Sequence, residues 1–362
     1  MRVIITAGGT GGHIYPAIAI INKIKKEEKN SDILYIGTTD RMEKDIIPKM
    51  GINFKSIEMV GLNRKNIFKN FGVLIKYKKA INNAKQIIKE FNPDVVIGVG
   101  GYISAPVVYA AHRLGVKTII HEQNSIPGVS NRFLSKFVDK VCVSLPKSAV
   151  YFDAKKTIYT GNPRSEEIIN SPKLYKNEVG LSSNKKLVII VMGSLGSTTM
   201  TDKLIDAIPK FNNKTYQVLV ITGNGYFDSY KSINCPDNVM IVPFLDNLIN
   251  LMKDADLIVS RAGASTIAEI TAIGLPSILV PSPYVTNNHQ MMNAKELEEV
   301  GGCTIIEEGE FSSDILIDKI DKILSDSGLY NSMVLGTKSL GVLDSATKFY
   351  DEVRKLVGES ND

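Results

Sequence analysis

Apolar residues fall along this chain in two recurring patterns. Short runs rich in β-branched residues alternate with longer stretches in which apolar positions repeat at helical spacing. In the first half, residues 2–7, 32–36, 94–99, 118–121 and 138–143 read as buried strands, and 14–29 and 67–90 as helices. The rhythm restarts later, with strands at 187–191, 216–221, 239–242, 256–259 and 277–280, and helices at 265–273 and 289–300. Such alternation predicts an α/β protein of two Rossmann-like, doubly wound domains, each a parallel sheet with helices on both faces. The stretch 162–184 is polar, carries Pro163 and Pro172, and has weak periodicity, so the linker falls there. The expected organisation is an N-terminal domain over 1–162, a linker over 163–184, a C-terminal domain over 185–343, and a last helix over 344–362 that packs back on the N-terminal domain. Two such domains leave a cleft outside the carboxyl ends of their strands, where ligands of this architecture bind.

Composition narrows the class. At 362 residues the chain exceeds what one core organises, and 44% hydrophobic with 22% charged residues is ordinary for a soluble globular protein. Cys142, Cys235 and Cys303 are scattered and form no C-x-x-C pair, which argues against a disulfide framework or a cysteine zinc site and fits a reducing compartment. The N-terminus lacks the form of a signal peptide, and no apolar run reaches the roughly 18 residues of a spanning helix, so any membrane contact is expected to be peripheral. A net charge of +5 mildly favours anionic surfaces.

The polar and glycine-rich segments follow the strands. Gly8-Gly9-Thr10-Gly11-Gly12-His13 lies between the first strand and a helix, where glycines allow close backbone approach and a helix N-terminus suits phosphate. It fits neither the G-x-G-x-x-G fingerprint nor a Walker A loop. A plain strand–helix turn explains the glycines equally well; His13 tips the reading towards a general base beside a ligand. Gly100-Gly101-Tyr102 forms a second such loop, either a pyrophosphate holder or a glycine turn. His121-Glu122-Gln123-Asn124 ends an apolar strand, as ligand-binding clusters do, although His121 and Glu122 could equally satisfy buried backbone groups. In the segment 261–269, Ser265 or Thr266 can cap a helix whose first turn faces a diphosphate, and Glu269 one turn on can accept ribose hydroxyls. The amides of 287–293 suit sugar hydroxyls or a helix cap. Finally, residues 61–80 interleave Lys69, Lys76 and other basic residues with Ile67, Phe68, Phe71, Leu74 and Ile75 and contain no acid. That is the pattern of an interfacial helix on anionic lipid, or of a solvated face over ordinary core; no nucleic-acid motif accompanies it.

Taken in order, Gly8–His13, Gly100-Gly101-Tyr102, His121–Asn124, Gly161-Asn162-Pro163, the Arg-Ala-Gly-Ala-x-Thr-x-x-Glu run at 261–269, and His289-Gln290 with Asn293-Ala294 resemble the MurG family, the lipid I N-acetylglucosaminyltransferases of bacterial peptidoglycan synthesis, over essentially the whole chain. The resemblance implies a glycosyltransferase-B fold and an inverting, cofactor- and metal-independent transfer of GlcNAc from UDP-GlcNAc to the C4 hydroxyl of MurNAc in lipid I, giving lipid II. It implies that Thr10, Gly11 and Gly12 line the site, with His13, and less directly His121 and Glu122, as catalytic candidates. Asn124 and Gln290 would approach the GlcNAc and Leu245 the uracil. Arg164, Ser194, Ala264, Ser265, Thr266 and Glu269 would hold diphosphate and ribose. The stretch 61–80 would meet an anionic membrane on the cytoplasmic face, with other cell-wall synthesis and division proteins as possible partners and no nucleic acid. Three positions depart from the pattern: Met192 opens the loop through Ser194, Arg164 comes one residue early after Pro163, and Asn287 replaces an acid. A UDP-GlcNAc 2-epimerase and a non-catalytic UDP-sugar-binding subunit are the alternative readings.

Overall fold

The computed structural model describes residues 1–59, 70–193 and 196–358. It divides into two units, Met1–Glu166 with Asp344–Asp362, and Glu167–Leu343.

Unit 1 runs β1 (Arg2–Thr6), α1 (Gly11–Glu27), β2 (Asp32–Thr38), α2 (Glu43–Lys49), β3 (Asn53–Ile57), α3 (Asn70–Phe91), β4 (Val95–Gly98), α4 (Ser104–Arg113), β5 (Lys117–Glu122), α5 (Val129–Leu134), β6 (Lys140–Val143), β7 (Thr157–Tyr159) and the start of α6 (Arg164–Asn170). Its strands are all parallel, in the order β3-β2-β1-β4-β5-β6-β7. The continuous apolar runs arise because this sheet is covered on both faces. Val3, Ile5, Val95 and Ile97 pack with Ile14, Ala17, Ile21 and Ile24 of α1, while Ile4, Val96 and Ile120 face Ala84 and Ile88 of α3 and Val107 and Val108 of α4. Each fully buried valine or isoleucine among them contributes about 1.5–3 kcal/mol.

Unit 2 continues α6 and adds β8 (Leu187–Val191), α7 (Thr198–Ala207), β9 (Gln217–Ile221), β10 (Val239–Val242), α8 (Leu248–Met252), β11 (Leu257–Ser260), α9 (Ala264–Ile273), β12 (Ser277–Leu279), α10 (His289–Glu299), β13 (Cys303–Ile305), α11 (Ser313–Ser325) and α12 (Ser327–Ser339). The order β10-β9-β8-β11-β12-β13, again all parallel, repeats the first six positions of the unit 1 sheet, β3-β2-β1-β4-β5-β6, with no counterpart of β7 among the described residues. In both units the order reverses beside the first strand, between β1 and β4 and between β8 and β11. Ligands of open α/β sheets bind at these reversals.

The last helix, α13 (Ser345–Val357), belongs to unit 1 and lies against α1, burying Phe349 and Val353 in the same core. Its start is tied down where Ser345 Oγ donates to the Asn162 carbonyl at 2.6 Å and the Thr347 amide donates to Glu166 Oε2 at 2.7 Å. The stretch 163–184 is not free chain. Leu174 donates to the Asn250 carbonyl at 3.1 Å, the Lys176 amide to Asp254 Oδ2 at 2.9 Å, and Gln217 Nε2 to the Ser182 carbonyl at 2.7 Å. Among the described residues no helix is long and apolar enough to cross a membrane.

Candidate active site

The reversal in unit 1 is built from two glycine turns that fit into one another. After β1, Gly9 takes a positive φ of 99° and Thr10 is extended, so that α1 begins at Gly11. The helix therefore starts three residues earlier than its periodicity suggests, and His13 sits in its first turn rather than in a loop. The turn after β4 places Gly100 and Gly101 at φ of 105° and 83°, where a side chain would be strained. A Cβ on Gly101 would lie 2.3 Å from the Gly8 carbonyl oxygen, and one on Gly100 would lie 2.5 Å from His13 Cδ2. The half-buried imidazole of His13 thus lies on bare backbone, with Thr10 Oγ1 3.5 Å from Nδ1. Ser104, at the head of α4, ties both turns to the sheet by donating to Gly100 O at 2.6 Å and Thr6 O at 3.0 Å. Beneath them Tyr35 donates to the Ala7 carbonyl at 3.0 Å, its phenol pushed well up by burial and by the nearby Glu43 carboxylate. Tyr102 is half-buried, and its hydroxyl accepts from Arg41 Nε at 3.4 Å.

The cluster at the end of β5 divides. His121 is fully buried; its Nε2 lies 3.0 Å from the Gly161 carbonyl and its Nδ1 2.9 Å from Gln123 Nε2. Burial lowers its pKa to about 4, and the carbonyl opposes that shift only in part. Glu122 is 2% exposed. Its Oε1 accepts from the Asn124 amide at 2.9 Å, and its Oε2 from the Gly128 amide at 3.0 Å and Asn131 Nδ2 at 2.8 Å. Both side chains are spent on holding the loop 123–128 and the head of α5. Asn124 is the half-buried member of the cluster. Arg164 is also half-buried, with its guanidinium 5.0 Å from the centre of the Tyr15 ring.

The reversal in unit 2 is built around Arg261, which follows β11 and is 8% exposed. Its guanidinium donates to Ser197 Oγ at 2.9 Å and to the Val280 carbonyl at 3.0 Å, and pairs with Glu308 Oε2 at 2.6 Å. One side chain therefore braces the loops that follow β8, β12 and β13. The next residues turn into α9: Gly263 is the N-cap and offers no side-chain cap, and Asn293 of α10 holds the turn from behind, donating to Ala262 O at 3.2 Å. The first-turn amides of α9 lie at the positive end of its dipole. Ser265 Oγ in that turn is buried and has no hydrogen-bond partner among the described residues. Ala264, Thr266 and Glu269 are half-buried along the same helix, and Leu245 is half-buried after β10. Gln290 accepts the Ser282 amide at 2.8 Å, which fixes the loop ahead of α10. Asn287 and Asn288 are left-handed at φ of 53° and 50°, a conformation that asparagine tolerates.

Ser194 lies outside the described residues, as do Ile67, Phe68 and Lys69 of the basic-apolar stretch. Phe71 and Leu74 fall in the first turns of α3. Ile75 is 63% exposed, and Lys76 pairs with Glu58 at 2.9 Å, an acid from outside the stretch. Sequence reasoning missed the supporting groups Glu43, Asn131 and Glu308, and gave Arg261 no role of its own. Nothing in their local pattern separates them from surface polar residues; only the fold brings them under the loops.

Comparison with known proteins places this geometry. Residues 3–143 match the glycosyltransferase family 28 N-terminal domain, and residues 187–346 match the glycosyltransferase family 28 C-terminal domain. A UDP-N-acetylglucosamine–N-acetylmuramyl-(pentapeptide) pyrophosphoryl-undecaprenol N-acetylglucosamine transferase of Bacillus cytotoxicus is 47% identical over 99% of this chain and 100% of its own length. The transferase of the same name from Bacillus licheniformis is 43% identical over 98% and 99%. The crystal structure of Acinetobacter baumannii MurG superposes with a TM-score of 0.80 at 26% identity, covering 98% of this chain and 99% of that one. A putative UDP-N-acetylglucosamine 2-epimerase of Listeria monocytogenes reaches a TM-score of 0.75 at 12% identity over 100% of this chain and 97% of its own, a likeness of fold alone.

Proposed function

This chain belongs to glycosyltransferase family 28, and from that premise we propose that it transfers N-acetylglucosamine from UDP-N-acetylglucosamine to lipid I, giving lipid II for peptidoglycan synthesis. The observation that carries the reading is identity of 47% along essentially the whole chain to a transferase named for that donor and acceptor. In the reaction, the C4 hydroxyl oxygen of the N-acetylmuramyl sugar bonds to the anomeric carbon of GlcNAc. The bond from that carbon to the UDP phosphate oxygen breaks with inversion, and the hydroxyl proton passes to a base.

Unit 2 supports the nucleotide half. The first turn of α9, with its uncapped amides and the partnerless Ser265 hydroxyl, offers donors to a diphosphate whose charge grows as UDP departs. Arg261 holds the neighbouring loops in register for it. Glu269 is assigned to the ribose hydroxyls, Leu245 to the uracil, and Asn124 and Gln290 to the transferring sugar. Unit 1 supports the acceptor half. His13 is the base: it is half-buried, sits at a turn lined by bare backbone, and carries an imidazole, the side-chain type most often used for proton transfer. Glu122 and His121 hold the loop that carries Asn124.

We further assign the enzyme to an anionic membrane surface, on the cytoplasmic face where lipid I is presented. The support is a depression of unit 1 that brings exposed Val129 and Phe133 together with Arg132 and Lys136, and, separately, the exposed Ile75 of the basic-apolar stretch. The test of the reaction is UDP release from UDP-GlcNAc with and without a soluble lipid I analogue. Release that needs the analogue, with a disaccharide-lipid product, is expected; binding of UDP-GlcNAc without acceptor-dependent release would sink the assignment.

A further inference from the structure

Glu43 is the first residue of α2 and is fully buried. Its Oε1 accepts from the Thr38 amide at 3.0 Å and the Thr38 hydroxyl at 2.7 Å, at the end of β2. Its Oε2 accepts from the Gly9 amide at 3.3 Å, in the turn that leads into α1. The surroundings are cut to fit this carboxylate. A Cβ on Gly8 would lie 2.7 Å from Glu43 Oε1, and one on Gly37 would lie 2.7 Å from Glu43 Cγ. Burying a carboxylate costs several kcal/mol, so a neutral side chain would join β2 to α2 at less expense. The carboxylate has one property that a neutral isostere lacks: both oxygens accept, so it grips the strand end and the glycine turn together.

The contacts then run on to His13. Gly9 and Gly8 are set by Glu43, the Gly8 carbonyl is packed against Gly101, and Gly100 is packed against the His13 ring. We propose that Glu43 is a positioning residue for the reaction: it fixes the β1–α1 turn from below and thereby the place of the His13 imidazole. This rests on the assignment of His13 as the base.

Glu43→Gln tests the proposal with little change of shape. The amide oxygen keeps one set of bonds, and the amide nitrogen then meets an N–H donor at the other. The chain has four histidines, His13, His112, His121 and His289, so their ring signals in an NMR spectrum can be assigned by single replacements. In the Glu43→Gln protein the His13 signal is expected to move or split while those of His112 and His289 stay. Turnover should fall by about 10- to 100-fold, the scale of a sub-ångström to 1 Å misplacement, with KM for UDP-GlcNAc retained. Thr38→Val removes one of the donors to Glu43 and should move the same signal less; it carries the test if Glu43→Gln does not fold. A His13 signal at its wild-type position in both variants, or a shift common to all four histidines, overturns the proposal. The ring signal reports position whatever His13 does in catalysis. Full turnover by His13→Ala would instead overturn the base assignment and leave the positional result standing.

Discussion

The two units share a strand order and differ at the reversal. In unit 1 the turn after the first strand rests on a buried carboxylate, Glu43, and presents an imidazole. In unit 2 the corresponding loop is held at Ser197 by a buried guanidinium, Arg261, beside a helix start whose Ser265 hydroxyl has no partner among the described residues. The strand order is shared, and both reversals carry glycines and helix N-termini. What differs is the support under the loops: a lone buried carboxylate in unit 1 and a buried Arg261–Glu308 ion pair in unit 2. The same glycine-rich turn therefore carries no fixed chemistry of its own.

The largest expected effect comes from the imidazole. His13→Ala should lower turnover by about 10²–10⁴, the usual worth of a general base, measured as acceptor-dependent UDP release. On the other side of the comparison, Arg261→Ala leaves Glu308 buried without its partner. Urea denaturation should show a loss of about 3–5 kcal/mol, and UDP affinity should fall with it. A variant of normal stability would show that the brace is dispensable.

A second histidine of unit 1, His121, sharpens the contrast further. His121 titrates at about 4 in the folded protein because burial disfavours its charged form. The unfolded chain, with an ordinary value near 6.5, binds the proton first as pH falls. The stability that neutral His121 provides is thus complete above about pH 6.5 and is lost as pH drops towards 4. The expected slope within that window is about 1.4 kcal/mol per pH unit, and His121→Gln should flatten it in denaturation curves taken at several pH values. The smallest effect belongs to Ser265. Its removal in Ser265→Ala costs the free protein no hydrogen bond, so stability should hold, while UDP affinity should weaken by about 0.5–1.5 kcal/mol, read by calorimetric titration.

Much of this organisation is legible in the residues. Central strands such as β1 and β8 are unbroken β-branched runs because both faces of each sheet are covered, and that makes them easy to read. The strands β3, β7 and β13 were not expected. They sit at sheet edges, and β3 alternates Asn, Lys and Ser with apolar residues because part of it faces solvent. Gly8–His13 and 261–269 stand out as loops, yet their glycines could not say which would hold a phosphate. The acids that support these loops, Glu43 and Glu308, lie 34 residues beyond Gly9 in the first case and far beyond Arg261 in the second, and look like ordinary surface acids in the one-dimensional chain. A polar pair at a strand end, such as His121 and Glu122, looks the same in the one-dimensional chain whether it faces a ligand or props up a loop.

The division of labour between the units is tested most directly by titrating UDP-GlcNAc into the full-length His13→Ala protein while following acceptor-dependent turnover of the same sample. The expected result is wild-type affinity for the donor with turnover reduced by about 10²–10⁴. Loss of donor affinity in step with turnover would contradict it, because the imidazole of unit 1 would then belong to the nucleotide site.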